Sequence, residues 1–140
     1  MNGLTGLQII VDSGLFVLIW LVQLIIYPSF RYTKEECFIQ WHTRHTFLMG
    51  LVVSPFMLTQ AGIEGFLFFQ NEVRWWRLVP IVLIWLATFI LSVPCHRQLQ
   101  KGGKDLSTIN RLVATNWIRT ILWSLLFLRT GVAVFTLQSF

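Results

Sequence analysis

Residues 41–53 read WHTRHTFLMGLVV. Two histidines and an arginine, His42, Arg44 and His45, stand together, and from Thr46 the chain turns apolar. This is the pattern of a polar helix end entering a hydrophobic phase. Its run extends from Thr46 to Phe69 as TFLMGLVVSPFMLTQAGIEGFLFF. Three more such runs follow the same rule. They are GLFVLIWLVQLIIYP (Gly14–Pro28, preceded by apolar residues from near Leu7), LVPIVLIWLATFILSVPC (Leu78–Cys95) and WIRTILWSLLFLRTGVAVFTL (Trp117–Leu137). Crossing a bilayer takes roughly 20 apolar residues in a helix, and each run supplies them, the first diluted by Asp12 and the fourth by Arg119 and Arg129.

The composition agrees. Of 140 residues, 55% are hydrophobic and 12% charged, too little polar surface for a water-soluble domain of this size. The expected fold is all-α: a single transmembrane domain over residues 1–140, an up-down four-helix bundle with a short cytoplasmic overhang. Its helices are expected over about 7–28, 34–69, 76–101 and 107–138. The opening MNGLTG has no basic residue and does not read as a cleavable signal peptide.

The net charge of +5 follows from loop composition. Arg31, Lys34 and Arg44 flank the first connection, and Arg97, Lys101, Lys104 and Arg111 the third; Arg74 and Arg77 lie at the second. Cytoplasmic loops collect Lys and Arg. Loops 29–41 and 97–110 are therefore expected in the cytoplasm and both termini outside, with a bacterial inner membrane as the setting. Charges split this way argue against a nucleic-acid surface. Cys37 and Cys95 fall on the reducing side and are expected as free thiols. Helix ends are marked too. TKEE (Thr33–Glu36) has the form of a capping box with Thr33 as N-cap, Gly102 and Gly103 stop the third helix, and Asp105 or Ser107 caps the fourth.

With this topology four helices put their polar side chains at one level. Gln23 and Tyr27 are four apart, His42 and His45 three apart, and Ser92 and His96 four apart; Asn116, Arg119 and Trp123 repeat at three and seven. Each set shares a helix face. Polar faces turn from lipid toward the bundle interior. The expectation is one pocket. In it Arg119, Asn116 and Tyr27 carry chemistry, His42, His45 and His96 are candidate ligands for a metal or cofactor, and Gln23, Ser92 and Trp123 line the substrate space. The plainer readings are solvated interfacial histidines, a snorkelling Arg119, and Asn116 and Gln23 as helix–helix glue.

Three imidazoles suit Fe, Cu or Zn, and His96 with His42 or His45 suits haem b. A cofactor-free site, with a histidine as base and Arg119 and Asn116 stabilising an oxyanion, is equally open. The Glu-x-x-His motifs of di-iron bundles are missing from the sequence. Trp20, Trp85 and Trp123 lie deep in their helices, as core or as an aromatic wall for a flat ligand. Glu64 and Arg129 are at depths where they could pair. The paired signatures YP then WHTRHT, and VP then NWIRT, hint at a duplication.

QLIIYPSF, WHTRHT, SVPCHRQL and TNWIRTILW together resemble a family of small, uncharacterised bacterial four-helix membrane proteins, over nearly the whole chain. More loosely, the third-helix proline and NWIRT are similar to anthrone-oxygenase-like membrane proteins, although Cys95 and His96 follow the proline where that family is expected to carry Asn. The resemblance implies O₂-dependent oxidation of an aromatic polyketide. The expected function is accordingly an oxidoreductase or oxygenase acting on a flat hydrophobic small molecule. The alternative is a non-catalytic subunit or assembly factor with a membrane-complex partner or a second copy of itself. A proton or cation conduit ranks below both.

Overall fold

The computed structural model describes residues 3–138, with side chains through residue 133. Among them there is no strand. Four helices form the bundle: α1 (Gly3–Tyr32), α2 (Glu35–Phe69), α3 (Trp75–Gly102) and α4 (Leu106–Gln138). Helix α1 packs between α2 and α4, and α3 packs against the other sides of the same two helices. Gln8 near the start of α1 meets Glu64 near the end of α2, and Tyr27 near the end of α1 meets His96 near the end of α3. Consecutive helices therefore run antiparallel. Among the described residues α1, α2 and α3 are long and apolar enough to cross a membrane. Helix α4 is 33 residues long and carries Arg119 and Arg129 in its apolar part.

Two proline positions shape the helices that matter most. In α1 the segment Val22–Ile26 is a π-helical turn, and so is Thr88–Ser92 in α3. In each, the residue before the proline donates its N–H five residues back: Tyr27 to the Val22 carbonyl, Val93 to the Thr88 carbonyl. Pro28 and Pro94 cannot donate, and their rings crowd the carbonyl four residues earlier. Widening the preceding turn relieves that contact without breaking the helix. The two turns match in position, six residues from turn start to proline, so α1 and α3 share a local design. Pro55 causes no such change, and α2 stays α-helical through it.

Helix ends partly depart from expectation. The capping box at Thr33 is not formed. The N-cap is Lys34, in an extended conformation and without a side-chain cap bond, and the helix begins at Glu35. Thr33 instead offers its carbonyl to Lys104 Nζ at 2.9 Å, tying the first connection to the third. Glu35 and Glu36 still favour the start of α2 through the helix dipole. The other ends follow the sequence: Gly103 has φ of 82°, which favours glycine, and the Asp105 carboxylate accepts the N–H groups of Ser107 and Thr108. In the second connection Asn71 takes φ of 60°, a conformation Asn tolerates better than most residues.

Leu15, Ile19, Phe30, Phe38, Ile84, Leu99, Ile109, Leu112 and Leu126 are almost fully buried and make the apolar core. Many large side chains face outward, among them Ile10, Phe47, Leu58, Phe89, Ile90, Ile121 and Leu128. An apolar exterior around a core that also holds polar groups inverts the water-soluble pattern.

Candidate functional site

The core contains two polar clusters, one at each end. The first lies near the α1–α2 and α3–α4 connections. The π turn of α1 precedes Tyr27 and that of α3 precedes His96, and the two side chains meet, hydroxyl oxygen to Nε2, at 3.1 Å. His96 Nδ1 lies 3.2 Å from His42 Nε2, and the two imidazoles stack with centroids 5.2 Å apart. His42 is fully buried, stacked on Phe38 and edge-on to Phe30. Its Nδ1 has no hydrogen-bond partner.

Arg119 of α4 reaches the same point. Its Nη2 donates to the Tyr27 oxygen at 3.1 Å and to Asn116 Oδ1, and its Nη1 lies 3.5 Å from Thr88 Oγ1. Asn116 in turn donates to Gln23 Oε1 at 2.8 Å, and Gln23 Nε2 donates to the Val113 carbonyl at 3.2 Å. Burial strengthens such a network and makes every unpaired member costly. The order is therefore His42–His96–Tyr27–Arg119–Asn116–Gln23, contributed by all four helices.

Beside this chain lies a cavity of about 440 Å³. Tyr27, Ser92, His96, Arg119 and Trp123 line it, and His45 sits at its edge. Its deep half is apolar, with Leu15, Ile19, Met57 and Trp85. Gly50, Ser54 and Phe89 on its rim are exposed on the outer surface, so it opens sideways between α2 and α3. Gln100 and Thr46 close one end through a 2.7 Å hydrogen bond.

The structure thus gathers all nine residues singled out in the sequence, but in different roles. Gln23 and Asn116 are behind the cavity wall, where they orient Arg119. His42 is behind His96. His45 lines the cavity, stacked on Trp41 at 5.2 Å and with its ring centroid 6.5 Å from that of His42. Among the described residues no group of three or more His, Cys, Asp or Glu side chains could hold a metal ion. The expected three-histidine centre is not assembled, because the imidazoles pair with Tyr27, with each other and with Trp41. Of the deep tryptophans, Trp85 and Trp123 face the cavity, while Trp20 donates to Ser124 Oγ at 3.1 Å outside it.

The second cluster was not legible as such. Arg77 is 2% exposed and sits between two carboxylates. It binds Asp12 through both terminal nitrogens at 2.8 and 3.1 Å, and Glu64 through Nε at 2.7 Å. Arg74 adds a second bond to Glu64 at 2.7 Å. Glu64 therefore does not pair with Arg129, whose guanidinium lies 5.5 Å over the Trp76 ring. The signal was available: Asp12 and Glu64 inside apolar runs require cations, and Arg74 and Arg77 open the third run. The clusters are joined, since Trp123 donates to Gln60 Oε1 at 3.2 Å and Gln60 donates to Asp12 Oδ1 at 2.7 Å. No family model, curated protein or solved structure matches this chain.

Proposed function

We propose that the chain is an integral membrane protein that takes a hydrophobic small molecule from the bilayer into its interior and performs acid–base chemistry on it without a metal. The observation that carries this reading is the hydrogen-bonded series His42–His96–Tyr27–Arg119, three of whose members line a largely apolar, sideways-opening cavity. An apolar cavity with a few convergent polar groups is the usual form of a small-molecule site. A buried ionisable cluster within apolar helices is costly and points to function.

The residues divide the work. Tyr27 and His96 stand where a proton would pass between the ligand and the protein, and His42 extends the relay behind them. Arg119 meets negative charge developing on a ligand oxygen. Asn116 and Gln23 hold Arg119 in place. Trp85, Trp123 and Met57 supply flat, polarisable walls. Giving a proton to a carbonyl or enolate oxygen is the step these groups are placed for: Tyr27 donates its hydroxyl proton, and His96 and His42 replace it from behind.

The test uses cells carrying the gene natively, with the chromosomal copy changed to His96→Gln. Lipid-soluble extracts are compared by mass spectrometry. A compound that accumulates in the variant and is converted by wild-type membranes supports the reading. Indistinguishable extracts, with both chains present at equal level, overturn it.

A further inference from the structure

The two buried arginines of the bundle are treated differently. Arg77 has two carboxylates against it. Arg119 is 7% exposed and has none: its contacts are a phenol, an amide oxygen and a threonine hydroxyl, all neutral. Its Nε is buried without any partner. The cavity wall beside it contains no Asp or Glu at all and adds a second arginine, Arg97. A guanidinium in apolar surroundings is expensive unless it is paired. At the far end of the bundle the sequence supplies Asp12 and Glu64 for this purpose. At the cavity it supplies nothing, although Tyr27, Asn116 and Thr88 hold the group firmly in position.

We propose that Arg119 is the receptor for an anionic head group, and that the natural ligand is an amphiphile with a single oxyanion on an apolar body. This deepens the proposed function and rests on the same cavity. The head group lies against Arg119 and Tyr27. The body extends into the deep half toward Leu15 and Met57. Leu15 precedes Tyr27 by 12 residues on α1, which is about 18 Å of helix at roughly 1.5 Å per residue. The cavity is therefore elongated along the bundle, and an extended or a flat body can be accommodated. Entry is from the bilayer past Gly50 and Phe89, which spares the apolar body any passage through water. The charge of the ligand replaces the carboxylate that the chain lacks at this end.

Two sources share this chemistry: the carboxylate of a lipid acid, and the phenolate or enolate of an aromatic compound. The full chain in detergent is titrated with oleate, oleyl alcohol, an alkyl nitrophenol that is ionised at neutral pH, and its neutral methyl ether. Binding is read by native mass spectrometry. The expected result is saturable one-to-one binding of an anion at least tenfold tighter than its neutral counterpart. The anion preference should be lost in Arg119→Gln and retained in Arg119→Lys. Tighter oleate identifies a lipid acid, and tighter nitrophenolate an aromatic ligand. Equal binding of anion and neutral probe to the wild-type chain overturns the proposal, and so does a preference that survives Arg119→Gln. The wild-type comparison decides the matter even if Arg119→Gln does not fold. Binding without conversion by the wild-type chain would count against the acid–base reading alone, and conversion without anion preference against the receptor alone.

Discussion

Tyr27 and His96 are 69 residues apart in sequence, and the Tyr27 hydroxyl oxygen lies 3.1 Å from the His96 ring. Each follows a π-helical turn, and each is adjacent to or two residues from the proline behind that turn. The contact fixes which way protons can run. His42 Nδ1 is buried with no partner. Stranding an N–H there costs more than leaving a lone pair, so the hydrogen belongs on His42 Nε2, which donates to His96 Nδ1. His96 Nε2–H then donates to the Tyr27 oxygen, which also accepts from Arg119, and the Tyr27 O–H is left for the cavity.

That arrangement is measurable. In ¹⁵N-histidine-labelled protein, His42 Nδ1 and His96 Nδ1 are expected to resonate as non-protonated nitrogens, and both Nε2 atoms as protonated ones. The opposite assignment at His42 would overturn the proton order. Tyr27→Phe removes the donor to the ligand. It should lower turnover of the natural substrate by about 10²–10⁴-fold, the usual worth of a general acid or base, with little change in expression.

At the other end, Arg77→Met leaves Asp12 without a cation in a dry core and Glu64 with Arg74 alone. Breaking a buried ion pair by removing one partner costs about 3–5 kcal/mol, so a large loss of resistance to SDS unfolding is expected. Adding Asp12→Asn and Glu64→Gln to Arg77→Met should recover part of it. If Arg77→Met unfolds like wild type, the network contributes nothing to stability.

Trp123→Phe removes the indole donor to Gln60 while keeping an aromatic wall. One neutral hydrogen bond is worth about 1 kcal/mol, so the change in SDS unfolding should be small beside that of Arg77→Met. A loss as large as that of Arg77→Met would mean that Trp123, and not the ion pairs, holds the two clusters together.

Asp105 gives the bundle an acid-sensitive helix start. Hydrogen bonds from the Thr108 and Ser107 hydroxyls and N–H groups lower its carboxyl from 3.8 to about 2. A carboxylate with a depressed folded value stabilises above its unfolded value and loses that contribution as pH falls through the folded one. Amide exchange at Ser107 and Thr108 should therefore quicken between about pH 4 and pH 2 relative to the middle of α4. Asp105→Ala should show fast exchange already at neutral pH, and pH-independent protection in the wild type would refute the cap.

Orientation is open to a thiol test. Cys37 is exposed and Cys95 buried. With the α1–α2 connection in the cytoplasm, a membrane-impermeant maleimide should label Cys37 in inverted vesicles and not in intact spheroplasts, and Cys95 in neither. Labelling of Cys37 from outside would reverse the topology.

The helices, their order and the level at which polar groups gather were legible in the sequence, because they depend on local quantities. Apolar run length, a glycine stop after Gly102, and the spacing of Gln23–Tyr27 or Ser92–His96 each involve one helix and its solvent. The start of α2 was placed one residue early, because Lys34 is extended like Thr33 and the helix begins at Glu35. The partners were decided only by tertiary packing. Glu64 had Arg74, Arg77 and Arg129 at similar depth, and the packing gave it Arg74 and Arg77 while Asp12 took the other nitrogens of Arg77. His42, His45 and His96 looked equivalent as ligands. Aromatic neighbours and the Tyr27 hydroxyl separated them, stacking His45 on Trp41 and joining His42 and His96 to Tyr27. Side-chain chemistry states what a residue needs; in a dry interior several neighbours can meet the same need, and only the packed geometry chooses among them.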